Sequence, residues 1–227
     1  MDMTDDNLTR FIFVRHGESD ANVQHILGGE KSCTGLSELG VRQVTALRDR
    51  LAKEPETSID VLYSSTMPRA RETAEIVNGA LGSLQIHFDN ELVEHRPGEA
   101  DGVPFSELVE RFGTNDYQGR PHSSFASGAE TAKLFDYRVS LALETLLEKH
   151  KGSTVMIVCH GGVIDIAFRH FLELPRRSQF DLWTLNASLT EFAVDDKELN
   201  RGRWRLVKYN DHAHLSGLPF ETTQTTY

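Results

Sequence analysis

Cysteine is nearly absent from this sequence: Cys33 and Cys159 are the only two in 227 residues. At most one disulfide could form, so the chain is not a disulfide framework, and a reducing, cytoplasmic setting is expected. Long hydrophobic runs are missing as well. No stretch approaches the roughly 20 apolar residues that a membrane-spanning helix needs. The start, Met1-Asp2-Met3-Thr4-Asp5-Asp6, is acidic without an apolar core and does not read as a signal peptide. Positive charge is in deficit, with 24 Lys and Arg against 34 Asp and Glu and a formal net charge of -10. Phosphate backbones and anionic lipid surfaces are held by clustered Lys and Arg, so no nucleic-acid and no membrane partner is expected. Taken alone, that charge would argue against an anionic substrate too. Metal-ligand spacing is also lacking. His212 and His214 stand two apart with no cysteine or acidic cluster beside them and read as a solvated turn, so no metal and no cofactor is expected.

What is present is an alternation of apolar strands and amphipathic helices. Phe11-Ile12-Phe13-Val14 is a fully apolar run that breaks at Arg15-His16-Gly17, the pattern of a buried strand opening into a loop. A helix is predicted from Ser37, as N-cap, to about Lys53, with Val44, Leu47 and Leu51 on one face. Ile59 to Tyr63 reads as a second strand that ends in Ser64-Ser65-Thr66. Pro68 then opens a helix to about Ala80. Leu84 to Phe88 alternates as a strand does. Residues 95–128 are rich in Gly, Pro and polar side chains and read as a loop-rich excursion with one helix near Phe105–Phe112. A long helix is predicted from about Ala129 to His150, with Leu134, Val139, Leu143, Leu146 and Leu147 as its buried stripe. Val155 to Cys159 is the clearest buried strand, and it breaks at His160-Gly161-Gly162 before a helix from about Val163 to Leu172. Ser188–Val194 and Trp204–Tyr209 read as a closing hairpin, and residues 221–227 as a frayed tail.

This alternation implies an α/β fold with a mostly parallel sheet covered by helices. No linker or internal repeat interrupts it, so residues 1–227 are expected to form one domain. In such sheets ligands bind beyond the carboxyl ends of the strands, and three of those ends carry unusual residues: Arg15-His16-Gly17, Ser64-Ser65 leading to Arg69, and His160-Gly161-Gly162. Two histidines leaving buried strands into glycine loops, one preceded by Arg15, with Arg69 in the first turn of a helix, suit a phosphoryl group. A neutral imidazole can attack phosphorus to form a phosphohistidine, arginines can hold the transferring charge, and a carboxylic acid must protonate the leaving alkoxide. Glu94 is the best-placed acid by topology, with Glu91, Glu99 and Asp101 as competitors. Cys159 reads as a small buried strand residue and Arg138 as an ion-pair residue, whereas Arg96 and His122 stand evenly between the substrate pocket and the surface.

These motifs resemble those of the histidine phosphatase superfamily, the phosphoglycerate mutase-like proteins. Arg15-His16-Gly17-Glu18-Ser19 with Asn22 is similar to its signature. Thr34-Gly-Leu36-Ser37-Glu-Leu-Gly40, Ser64-Ser65 through Arg69-Ala70 to Thr73-Ala74, Gly128-Ala-Glu130-Thr131 with Arg138, Cys159-His160-Gly161-Gly162 and Asn186-Ala-Ser188 follow in the family's order. The resemblance implies a three-layer α/β/α sandwich, mostly parallel with one antiparallel strand. It also implies His16 as the phosphorylated nucleophile, Arg15, Arg69 and His160 as phosphoryl holders, Glu94 as the proton donor, and Asn22 and Gly161 as further hydrogen-bonding positions. Gly28 and Gly29 match substrate-contact positions loosely. Glycines after His160, where another branch has aspartate, place the sequence with the larger branch. The residues that follow Glu94, His95-Arg96-Pro97-Gly98-Glu99, depart from the mutase pattern of an aromatic residue and a later arginine pair. The expected activity is metal-independent hydrolysis of a small phosphomonoester, with a cofactor-dependent phosphoglycerate mutase and a silent phospho-ligand-binding module as the alternatives. The oligomeric state is open, a homodimer among the options.

Overall fold

The computed structural model describes residues 8–53, 58–113, 120–175, 182–195 and 203–219. Among the described residues six strands form one sheet: β1 (Leu8–Arg15), β2 (Val61–Ser65), β3 (Ile86–Asp89), β4 (Thr154–Cys159), β5 (Leu189–Asp195) and β6 (Arg205–Asp211), in the order β3-β2-β4-β1-β5-β6. β1, β2, β3 and β4 pair in parallel, while β5 runs antiparallel to both of its neighbours. The expected mostly parallel sheet with one antiparallel strand is therefore the sheet observed. Short helix α1 (Asp20–Val23) is followed by α2 (Glu38–Lys53), α3 (Pro68–Asn78), α4 (Phe105–Phe112), α5 (Ala132–Lys149) and α6 (Gly161–Phe171). No helix among the described residues is long and apolar enough to cross a membrane.

The apolar strands are continuous because both faces of the sheet are covered. Phe11 and Phe13 of β1 join Val155, Ile157 and Cys159 of β4 in a core closed by α5 and α6, which supply Val139, Leu143, Val163 and Ala167. The alternate residues Ile12, Val14, Met156 and Val158 join Leu62 in a second core, closed by Val44 and Leu47 of α2 and Ala70, Ala74 and Val77 of α3. Period-2 alternation within one strand thus feeds two cores, which makes the three layers. Phe171 stacks on Trp204 at 4.0 Å and meets Phe192 at 5.2 Å, extending the first core to β6.

Local signals set most element ends. Ser37 Oγ accepts from Gly40 N at 3.0 Å and caps α2 as expected, and Pro68 occupies the first turn of α3. Two expectations need correction. Leu134 is not in the buried stripe of α5 but 57% exposed, on the side of Tyr137 and Leu141. The stripe is Phe135, Arg138, Val139, Ala142, Leu143 and Leu146. The cause is helical spacing: Phe135 lies four residues before Val139 and shares its face, whereas Leu134 lies one position further back and falls off it, with Thr131 capping the helix by accepting from Leu134 N at 3.2 Å. His212 and His214 are not a solvated turn. Each is half-buried and hydrogen-bonded, His212 Nδ1 to Asn210 O at 2.7 Å and His214 Nε2 to Ala187 O at 2.9 Å. The expected frayed tail lies outside the described residues. Cys33 and Cys159 are both free and buried in different clusters, Cys33 with Met67 and Val93.

Candidate active site

Strand register builds the site. β1 and β4 pair directly, with Arg15 opposite Cys159, so both strands end at the same level and deliver His16 and His160 side by side. Their ring centroids are 5.1 Å apart. β2 is the other neighbour of β4, which brings Ser65 beside His160, and α3, leaving β2, carries Arg69 in its first turn. His16 (4% exposed), Arg15 (7%), Arg69 (4%) and His160 (0%) are all buried, which rules out surface salt bridging as their role.

One guanidinium joins the histidines. Arg69 Nε donates to His16 Nε2 at 3.0 Å and faces His160 Nδ1 at 3.3 Å, while its Nη1 donates to Gly28 O at 3.0 Å. His16 Nδ1 donates to Gly17 O at 2.6 Å, leaving the Nε2 lone pair as the group presented to Arg69. His160 Nε2 donates to Ser65 Oγ at 2.8 Å, which turns Nδ1 towards Arg69. Arg15 donates to the carbonyl of Thr184. The nucleophile loop is held from behind. Asn186 Nδ2 donates to His16 O at 3.0 Å, Ala187 N donates to Arg15 O and His16 O, and Ala187 itself adopts the left-handed region at φ 57. Such strain persists where the surroundings over-determine it.

Burial, Arg69 and Arg15 hold the His16 pKa well below its usual value. Burial, Arg69, His16 and Arg15 do the same for His160. His16 is therefore an unprotonated imidazole at neutral pH. The acidic limb of kcat/KM is expected to lie well below pH 6.5, read from initial rates across a buffer series; a midpoint at or above 6.5 would contradict it. The same shift bears on stability. The unfolded chain takes up protons near pH 6.5 while the folded pair resists, so stability present above pH 6.5 is lost as pH falls towards the folded values, by up to about 1.4 kcal/mol per pH unit for each histidine.

The four candidate acids separate cleanly. Glu91 and Glu99 are exposed. Asp101 is committed elsewhere, accepting from Gly29 N at 2.9 Å, Lys31 N at 2.8 Å and Ser32 N at 3.3 Å, so it staples the excursion to the 28–32 loop. Glu94 alone reaches the N-terminus of α6, where Oε2 accepts from Gly162 N at 2.9 Å. Its Oε1 accepts from His95 N, also at 2.9 Å.

A buried clasp carries the Glu94 segment. Arg138 meets Glu130 through Nε and Nη2, both at 2.8 Å, and donates from Nη1 to Glu91 O at 2.6 Å and Val93 O at 3.1 Å. Burial opposes the charge on Glu130, but Arg138 overrides it and holds the carboxyl below its usual pKa. Arg138 is thus an ion-pair residue, as expected from sequence, with the added task of holding a loop.

The remaining expected positions divide. Gly28 O is a ligand of Arg69, and Gly29 belongs to the Asp101 staple. Asn22 Oδ1 is engaged by Ser19 N at 3.0 Å in a capping box, so its amide nitrogen is what it can offer a substrate. Gly161 is the first residue of α6. Arg96 lies half-buried near Glu30 at 3.6 Å. Sequence reasoning placed Ser65, Gly162 and Asn186 within motifs but gave them no contacts, and it missed the loop-stapling role of Asp101. Only the strand-end position of Ser65 carried a usable signal. Cys159 is no nucleophile, since burial pushes its thiol far up.

A model of the histidine phosphatase superfamily (branch 1) matches residues 11–212. The chain belongs to this superfamily. It is 29% identical to phosphoglycerate mutase-like protein 4 of Arabidopsis thaliana, over 96% of this chain and 92% of that protein. It is 28% identical to a metal-independent phosphoserine phosphatase of the same plant, over 94% of this chain and 86% of that protein. The native structure of a mycobacterial glucosyl-3-phosphoglycerate phosphatase superposes with a TM-score of 0.74 at 26% identity, covering 90% of this chain and 99% of that one.

Proposed function

We propose that this histidine phosphatase superfamily member is a single catalytic domain hydrolysing a small phosphomonoester without a metal, through phosphohistidine on His16 and with Glu94 as proton donor. The observation that carries the reading is the convergence of Arg69 Nε on both His16 Nε2 and His160 Nδ1. A phosphoryl group entering there meets a nucleophilic nitrogen on one side and cationic or hydrogen-bonding donors around its oxygens. In the first step His16 Nε2 forms a bond to phosphorus, the ester P–O bond breaks, and Glu94 gives its proton to the leaving alkoxide. In the second, water attacks phosphorus, the P–N bond breaks, and the carboxylate of Glu94 takes the water proton as phosphate leaves. Arg15, Arg69 and His160 hold the phosphoryl oxygens. Asn22, Gly161, Gly28 and Gly29 line the approach. The glycines after His160 fit the larger branch of the superfamily, and two buried free thiols suit a cytoplasmic setting.

The departure from the mutase pattern after Glu94 favours hydrolysis over mutase activity. The test is turnover of p-nitrophenyl phosphate in EDTA, with acid-labile phosphate trapped on the protein. Wild type is expected to turn over, and His16→Ala to lose activity by at least about 10⁴-fold and trap no label. Activity that requires a divalent metal or survives the substitution contradicts the reading. A coupled assay with 3-phosphoglycerate and 2,3-bisphosphoglycerate tests the mutase alternative, and isomerisation faster than hydrolysis would establish it.

A further inference from the structure

Gly162 stands in the first turn of α6, at a position that a better helix former could occupy at a gain of about 0.5–1 kcal/mol. Its φ is not in the left-handed region that demands glycine. The reason for glycine lies in what surrounds it. A Cβ built there would overlap Glu94 Oε1, and it would stand 3.1 Å from Glu94 Cδ and 3.0 Å from Phe135 Cε1. Phe135 is a buried core residue of α5, so it cannot yield, and the carboxylate would have to. Gly162 N is meanwhile the donor that Glu94 Oε2 accepts from, at 2.9 Å.

We infer that Gly162 is a positioning residue whose missing side chain forms the seat of the Glu94 carboxyl, and so sets proton delivery to the leaving group. The inference rests on Glu94 being the proton donor. The seat works in two ways. It lets the carboxyl lie directly against the helix N-terminus, and it engages Oε2 once while His95 N engages Oε1 once. Each oxygen keeps a lone-pair site on which the transferable proton can ride. An added methyl group moves the carboxyl off both donors, while His16, Arg69 and His160 stay in place.

The signature is a dependence on the leaving group. p-Nitrophenolate departs without a proton, whereas an alkoxide does not. kcat/KM stops at the phosphorylation step, so it isolates the transfer. Gly162→Ala is expected to reduce kcat/KM about 10- to 100-fold for whichever alkyl phosphate of a panel the wild type hydrolyses fastest, and less than about threefold for p-nitrophenyl phosphate. Its melting temperature is expected to be unchanged or higher, since alanine favours the helix. Glu94→Gln, assayed in parallel, separates the two claims. Selective loss in both variants supports the seat. Selective loss in Glu94→Gln alone overturns the seat and leaves Glu94 as the acid. Equal loss on both substrates in Glu94→Gln removes Glu94 as the acid, and the seat falls with it. A melting temperature lowered by several degrees in Gly162→Ala also overturns the inference, because it means that the core rather than the carboxyl gave way.

Discussion

Arg69→Met is expected to lower kcat/KM by about 10³-fold or more on every phosphomonoester, with p-nitrophenyl phosphate no exception. Removing one preorganised donor to a developing charge costs about 10²–10³ in rate, and removing an arginine from a transferring phosphoryl group costs about 10³–10⁵. Arg69 is buried and is the only side chain hydrogen-bonded to both histidines among the described residues. Methionine keeps the bulk and removes the charge. A second effect tells electrostatics from packing. Arg69 depresses the pKa of both His16 and His160, so without it the imidazoles hold protons to higher pH. The acidic limb of kcat/KM is expected to move up towards pH 6.5. A loss below tenfold, or an acidic limb that stays put, would contradict the role given to this guanidinium.

Arg138→Met is expected to cost about 3–5 kcal/mol of stability in a urea titration, because it leaves a buried carboxylate uncompensated. The side chains of Arg138 and Glu130 are 7% and 8% exposed, and the guanidinium also satisfies the carbonyls of Glu91 and Val93. The Glu130 carboxyl, now held below its usual pKa, is expected to titrate higher in the variant. The loop that carries Glu94 loses its clasp, so hydrolysis of alkyl phosphates is expected to fall further than that of p-nitrophenyl phosphate. A stability loss under about 1 kcal/mol would show that the clasp is not part of the folding free energy. In the proposed reaction the two substitutions act on opposite sides of the site: Arg69 on the phosphoryl group, Arg138 on the segment that carries the proposed acid.

The fold and the cluster of His16, Arg69 and His160 were legible in the sequence for a single reason. His16, Arg69 and His160 stand where hydrophobic periodicity breaks at the end of a strand or the start of a helix, and an α/β sheet gathers such breaks at one edge. Local pattern was enough there. It failed at Leu134, which lies off the three- and four-residue spacing of the buried stripe of α5, and at the acid, where four carboxylates within a dozen residues looked alike. The sheet register that brings His16 and His160 within 5.1 Å decides their distance, which no spacing in sequence encodes.

The net charge of -10 illustrates the same division. Composition describes the surface as a whole and gives no account of a buried cluster in which Arg15, Arg69 and two histidines share one point. The sequence by itself determined the strand–helix alternation, the arginines and histidines that gather at the strand ends and the family to which the chain belongs, because those depend on neighbours along the chain. Only the tertiary structure decided which carboxylate lies against the N-terminus of α6, that Asp101 staples the excursion to the 28–32 loop, that Ser65 hydrogen-bonds His160 and that Gly162 leaves room for Glu94. Each of those rests on contacts between segments 60 to 100 residues apart, and a polar side chain takes its role from the hydrogen-bond partners that packing sets before it.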